Sequence, residues 1–401
     1  MKPRTGVDRS ITQKWRPATQ AIRGGTWRSD FGETSEALFL TSGFSYESAD
    51  EVAARFRGEA EGFTYSRQTN PTVSMFEERM ALLEGAEVAR ATGTGMAAMA
   101  TALLCQLRAG DHVVAARALF GSCRWLVDTL LPQYGIETTI VDGRDNEAWA
   151  KARKPNTKVF FLETPANPTL DIVDLRAVSD LAHEIGAKVV VDNVFATPVL
   201  QKPMELGADI VCYSATKHID GQGRVLGGVI LCDKKFDDEH LYAYFRHTGQ
   251  IMSAFNAWVL LKGLETLDMR VRRMCENAAK VADFLAGRVP TLLYPGRRDF
   301  PQHALAMQQM AAGGTILSFH LESERQAFDL LNALELIDIS NNIGDSRSLA
   351  THPATTTHKA VAPEIQRELG ITPGMIRLSV GLEDPQDVIE DLDRALKILT
   401  L

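Results

Sequence analysis

Between residues 110 and 235 the chain repeats one device: a short, unbroken apolar run rich in β-branched residues, set off from the next by turn residues or a helical stretch. The runs are HVVAA, TTIVDG, KVFFLET, AKVVVDN, DIVCYSAT and GGVILCD, and LRAVSDLAHEIG is a typical amphipathic segment between them. Apolar runs this short, without polar alternation, suit strands covered on both faces. Their alternation with helices predicts a layered α/β domain around a mostly parallel sheet. Ahead of them, Asn70 and Pro71 read as the N-cap and first-turn proline of a helix through MFEERMALLEG that Gly85 closes. A second helix, MAAMATALLCQLRAG, follows the loop ATGTG, with no clear strand before that loop.

The two ends of the chain follow other patterns. Residues 1–69 mix Arg, Gly, Ser and aromatic residues without a period, as in TWRSDFGETSEALFLTSGFSY. They are expected to form an extended arm with short helices that wraps a partner subunit. Residues 70–254 are expected to form the α/β domain and 255–401 a smaller α+β domain. In the latter, Ala254 to Leu285 is long enough for one helix or two. GGTILSFHL, DISNNIGD and MIRLSVGLE read as strands there, and ERQAFDLLNAL and DVIEDLDRALKIL as helices.

Charge and cysteine usage exclude several classes. Lys and Arg number 43 against 51 Asp and Glu, a net charge of −8 that disfavours nucleic acid as a main partner. No apolar stretch approaches the ~20 residues of a membrane span, and MKPRTGVDRSITQKWRPATQ lacks the apolar core of a secretory signal. Cys105, Cys123, Cys212, Cys232 and Cys275 are scattered and form no CxxC pair, so neither a disulfide framework nor a metal site is expected. A cytoplasmic enzyme fits these features.

The chemistry concentrates in YSATKHIDGQGRVLGG. There the run DIVCYS ends at Ser214, and Thr216 and Lys217 follow at once. Burying an ammonium is costly, so a lysine at the end of a buried strand is suited to losing its proton and forming a Schiff base. The run AKVVVDN ends likewise in Asp192, and in an open parallel sheet the carboxyl ends of the strands face one crevice. A lysine and a carboxylate at adjoining strand ends match pyridoxal phosphate, whose aldehyde needs an amine and whose ring nitrogen needs an acid to keep it protonated. The glycine-rich loop before Met96 opens a helix and suits a single phosphate. It lacks the third glycine and the downstream acid of a dinucleotide fingerprint. From the residues alone, a nicotinamide-dependent oxidoreductase or a non-catalytic binding module stays open.

The motifs YSRQTNPT, GTGMAA, ETPANP, VVDNVFATP, SATKHIDGQGRVLGG and RLSVGLED occur in that order between residues 65 and 384, within a match that runs from about residue 20 to 400. Together they resemble the Cys/Met-metabolism family of pyridoxal-phosphate enzymes. The resemblance implies an aspartate-aminotransferase-like fold (fold type I) and a homotetramer built as a dimer of dimers. It implies that Lys217 holds pyridoxal 5'-phosphate and moves protons, and that Asp192 pairs with the ring nitrogen. Gly95, Met96, Ser214 and Thr216 would hold the phosphate, with Tyr65 and Arg67 reaching in from a neighbouring subunit and Tyr65 available as a catalytic acid. Arg377, helped by Asn341 and Asn342, would clamp the substrate α-carboxylate, with Asn167 near both that group and the ring.

Departures from the family pattern narrow the expected reaction. Phe120 stands where many members stack a tyrosine on the ring, and Ser122 where the methionine γ-lyase branch has cysteine. Asn341 replaces a glutamate typical of cystathionine γ-lyases and γ-synthases. The resemblance is strongest to the branch that exchanges the acyl group of O-succinylhomoserine for sulfide, giving homocysteine. Cystathionine γ-synthase, O-acetylhomoserine sulfhydrylase and methionine γ-lyase reactions are the alternatives.

Overall fold

The computed structural model describes residues 7–399. Seven strands form the larger sheet: β1 (Val88–Thr92), β2 (His112–Ala116), β3 (Glu137–Val141), β4 (Thr157–Glu163), β5 (Lys188–Asp192), β6 (Ile210–Ser214) and β7 (Gly228–Cys232). Their order is β1-β7-β6-β5-β4-β2-β3. The five strands β3, β2, β4, β5 and β6 run parallel, and β7 pairs antiparallel with both β6 and β1.

The unbroken apolar runs have a simple cause. Alternate residues of each strand enter two separate cores. Phe160, Leu162, Val189, Val191 and Val211 face one, whereas Val159, Phe161, Val190, Ile210 and Cys212 face the other. The helices Pro71–Glu84, Leu175–His183 and Ala254–Glu265 cover the first face, and Gly95–Leu104 covers the second. Asn70 caps the first of these helices by accepting from the Thr72 and Val73 N–H groups. Gly85 ends it at φ +87°, a left-handed conformation that glycine adopts at little cost.

The smaller sheet contains β8 (Thr291–Leu293), β9 (Ile316–His320), β10 (Asp338–Ile339), β11 (Leu349–Thr351) and β12 (Met375–Ser379), in the order β10-β11-β12-β9-β8. The stretch from Ala254 makes two helices, Ala254–Glu265 and Leu267–Leu285, and the second packs into the core of the smaller sheet.

Two expectations fail. A strand does precede ATGTG, namely β1, hidden because its middle residue Arg90 is charged and is held by the buried Asp237. DISNNIGD gives only the two residues of β10; from Ser340 the chain leaves the sheet and turns toward the crevice.

In the first 69 residues, the helices Arg9–Thr12, Pro17–Arg23 and Ala49–Phe56 are joined by irregular chain. Buried Glu36 ties this stretch to the body. It pairs with Arg79 and Lys262, and its carbonyl accepts from the Trp258 indole at 2.9 Å.

Candidate active site

Strands β4, β5 and β6 are neighbours, and their carboxyl ends bring Glu163, Asp192 and Ser214 to one edge of the sheet. Glu163 and Asp192 are direct register partners. Outside this edge lies a cavity of about 240 Å³ lined by Asp192, Ser214, Thr216 and Lys217 on the sheet side. Gly95 and Met96 line it at a helix start, Phe120 and Asn167 at loops, and Asn341 and Arg377 from the smaller domain. Sequence reasoning thus placed ten residues that do converge on one cavity.

The helix start is shaped for an anion. Thr94 caps it by accepting the Ala97 N–H at 3.0 Å, which leaves the N–H groups of Gly95 and Met96 at the open end. A Cβ on Gly95 would lie 2.5 Å from the Ser214 Cβ, so only glycine lets the helix approach β6 this closely. Thr216 faces the same space, its hydroxyl accepting the Gly227 N–H at 3.1 Å. Backbone N–H groups, two hydroxyls and a helix dipole fit a phosphate.

Lys217 donates to Asn342 Oδ1 at 2.6 Å. Burial, reinforced by the charge of Arg377, pushes its amine down to about 8. Asp192 is buried and accepts the Val194 N–H at 3.1 Å. Burial pushes its carboxyl up to about 7. A protonated ring nitrogen beside Asp192 would supply the counter-charge that this carboxylate otherwise lacks.

Arg377 is 2% exposed. Its Nη1 donates to Asn167 Oδ1 at 2.9 Å, and its Nη2 to the Asn341 and Asn342 carbonyls at 2.8 and 3.3 Å. Nε is buried without a partner, which leaves donor capacity on the guanidinium for a carboxylate. Burial pushes its pKa down to about 10, so the guanidinium is still charged at neutral pH.

One placement differs from the sequence reading, and the pair expected from a neighbouring subunit lies outside the cavity of its own chain. The Asn342 side chain serves Lys217, and only its backbone carbonyl serves Arg377. Tyr65 and Arg67 are absent from the Lys217 cavity of their own chain. They line a separate hollow with Leu40, Asn70 and Ile251, and Tyr65 is 42% exposed. Sequence reasoning missed Glu163, Cys123 and Thr357, all on the cavity wall. Glu163 carried the same signal as Asp192, an acid closing a buried apolar run, and could have been found by it.

The residues fit pyridoxal phosphate, and the comparisons with known proteins agree. A model of the Cys/Met metabolism PLP-dependent enzyme family matches residues 18–397. The chain is 53% identical over 386 residues to an O-succinylhomoserine sulfhydrylase of Mycobacterium tuberculosis, covering 94% of this chain and 95% of the relative. It is 38% identical over 396 residues to an L-methionine gamma-lyase of Treponema denticola, covering 97% and 99%. A Campylobacter jejuni structure that carries N'-pyridoxyl-lysine-5'-monophosphate superposes with a TM-score of 0.92 at 30% identity, over 96% of this chain and 100% of that one.

The fold and the site therefore define a fold type I pyridoxal-phosphate enzyme. The chain belongs to the Cys/Met metabolism family of PLP-dependent enzymes.

Proposed function

We propose that the enzyme catalyses γ-replacement on O-succinylhomoserine: sulfide displaces the succinyl carboxylate at Cγ, giving homocysteine and succinate. The observation that carries this reading is the clamp around Arg377. Its direct partners are neutral, Asn167 Oδ1 at 2.9 Å and the Asn341 carbonyl at 2.8 Å, and Asn341 puts an amide where a carboxylate would receive a second amino acid's ammonium. The likeness to the Mycobacterium tuberculosis sulfhydrylase supports the same reaction.

The cofactor supplies an electron sink for carbanion charge at the substrate. Arg377 orients the substrate through its α-carboxylate, and Asn167 holds the guanidinium in place. Lys217, its amine pushed toward neutrality, takes the Cα and Cβ protons in turn and later returns them. Asp192 would keep the ring nitrogen of the bound cofactor protonated, and Phe120 would pack on its ring. The leaving group, with an ordinary pKa near ~4, departs without an acid. This suits a stacking residue that has no hydroxyl.

We infer further that Tyr65 and Arg67 complete the phosphate site of a neighbouring subunit within a homotetramer of two dimers. Their distance from the cavity of their own chain supports this, as do the exposed Phe31 and Leu40 at 97% and 70%. Five free, buried cysteines support a cytoplasmic location, and among the described residues no helix is long and apolar enough to cross a membrane.

The deciding experiment compares kcat/KM for the succinyl and acetyl esters of homoserine, each with sulfide and with cysteine, beside elimination from methionine. Preference for the succinyl ester with sulfide is expected. Preference for cysteine would make the reaction that of a cystathionine γ-synthase. Faster turnover of the acetyl ester or of methionine would replace the substrate assignment.

A further inference from the structure

Glu163 is a buried acid to which the reaction above gives no work. It closes β4 at 3% exposure, and its carboxyl bonds to no cationic side chain. Both oxygens are instead taken by backbone. Oε2 accepts the Phe120 N–H at 2.6 Å, and Oε1 accepts the Asn167 N–H at 3.0 Å. Phe120 and Asn167 lie outside helices and strands, so no ladder supplies their N–H groups with a partner. The two loops are 47 residues apart in sequence and form facing walls of one cavity.

We propose that Glu163 is a positioning residue of the active site: one carboxyl group clasps the backbone of Phe120 to the backbone of Asn167 and sets the spacing between the ring-stacking wall and the Arg377 clamp. It acts on Arg377 through Asn167, whose side chain accepts from Nη1 at 2.9 Å while its N–H is held from behind. A carboxylate is required because two donors converge and each needs an acceptor oxygen. Glutamine offers one oxygen and turns an NH2 toward the other donor. Aspartate, a methylene shorter, cannot keep both contacts from the end of β4. The proposal rests on the roles given above to Phe120, Asn167 and Arg377.

The test uses Glu163→Gln and Glu163→Asp in the cofactor-loaded and cofactor-free protein. One readout is amide hydrogen exchange by mass spectrometry in peptides covering Phe120 and Asn167. A second is the affinity for propanoate, an unreactive carboxylate, and a third the split between KM and kcat. Losing one of the two bonds predicts exchange about tenfold faster at the loop that is released, with propanoate affinity and KM weakened by a similar factor. Exchange in β5 should stay unchanged.

A lower melting temperature with faster exchange across β4 and β5 alike, and unaltered propanoate binding, would show a merely structural residue and overturn the proposal. Should neither variant fold, the wild type decides. Protection of both amides to the level of β4 supports the clasp, and rapid exchange at either sinks it. Exchange and propanoate binding do not depend on which ester or nucleophile is used, so this proposal and the reaction assignment fail separately.

Discussion

Arg377→Lys tests the substrate clamp, because it keeps the charge and removes the fork. Arg377 uses Nη1 for Asn167 and Nη2 for two carbonyls, which leaves Nε–H and one Nη1–H for a ligand. A lysine has three donors on one nitrogen and no pair of parallel N–H bonds to offer a carboxylate. If it keeps even two of the protein contacts, one charge-assisted bond to the substrate is lost. Such a bond is worth about 1.5–3 kcal/mol, so KM should rise by about ten- to hundredfold at 1.4 kcal/mol per decade. The assay is steady-state turnover of a homoserine ester, with the visible spectrum of the bound cofactor recorded alongside. That spectrum should be unchanged, since Arg377 is placed at the substrate. A KM within about twofold of wild type would refute the assignment of Arg377 to the α-carboxylate.

Further outcomes follow from the same geometry. Lys217→Ala should lower turnover by at least ~10²–10⁴ while leaving a folded protein; near-normal turnover would end the reading of Lys217 as base. Capture of pyridoxal phosphate by the cofactor-free protein needs the neutral amine, so its rate should rise with pH and level off above about 8. Arg377→Gln should move that midpoint upward, because the Arg377 charge helps to depress it; a midpoint near ~10.4 in wild type would contradict the buried setting of the amine. Gly95→Ala forces a Cβ to 2.5 Å from Ser214 and should weaken cofactor affinity by about tenfold or more, measured by equilibrium dialysis. Mixed oligomers of Tyr65→Phe/Arg67→Ala chains with Lys217→Ala chains should regain activity that neither parent has; no recovery in confirmed mixtures would place those residues in the site of their own subunit.

What could be read in the sequence follows from which interactions are local. The parallel strands were legible because both of their faces are buried, which forces an apolar side chain at nearly every position. Asp192 and Lys217 stood out because a charged residue ending such a run breaks a rule the rest of the run obeys. By contrast, β1 lies antiparallel at the edge of the sheet, and its Arg90 is made tolerable by Asp237, 147 positions away. No local pattern announces a partner at that distance.

The two asparagines show the same limit at the site itself. Their spacing and resemblance put both beside the substrate carboxylate, and neither signal says which atom of each residue faces which partner. That depends on how the chain leaves β10 after Ile339. Because the strand stops there, residues 340–345 turn away from the sheet. Gly344, at φ +68°, then passes so close to His218 that an added Cβ would sit 2.6 Å from the imidazole ring. The loop is thereby seated against the residue next to Lys217. Asn342 meets the lysine amine with its side chain, while two backbone carbonyls are left for Arg377. The DISN segment reads as a strand in the sequence, but Asp and Asn are poor strand formers and tertiary contacts decide how far the strand runs. Here its early end gives Lys217 one side-chain contact and Arg377 a pair of backbone carbonyls, while Asn341 stays on the cavity wall.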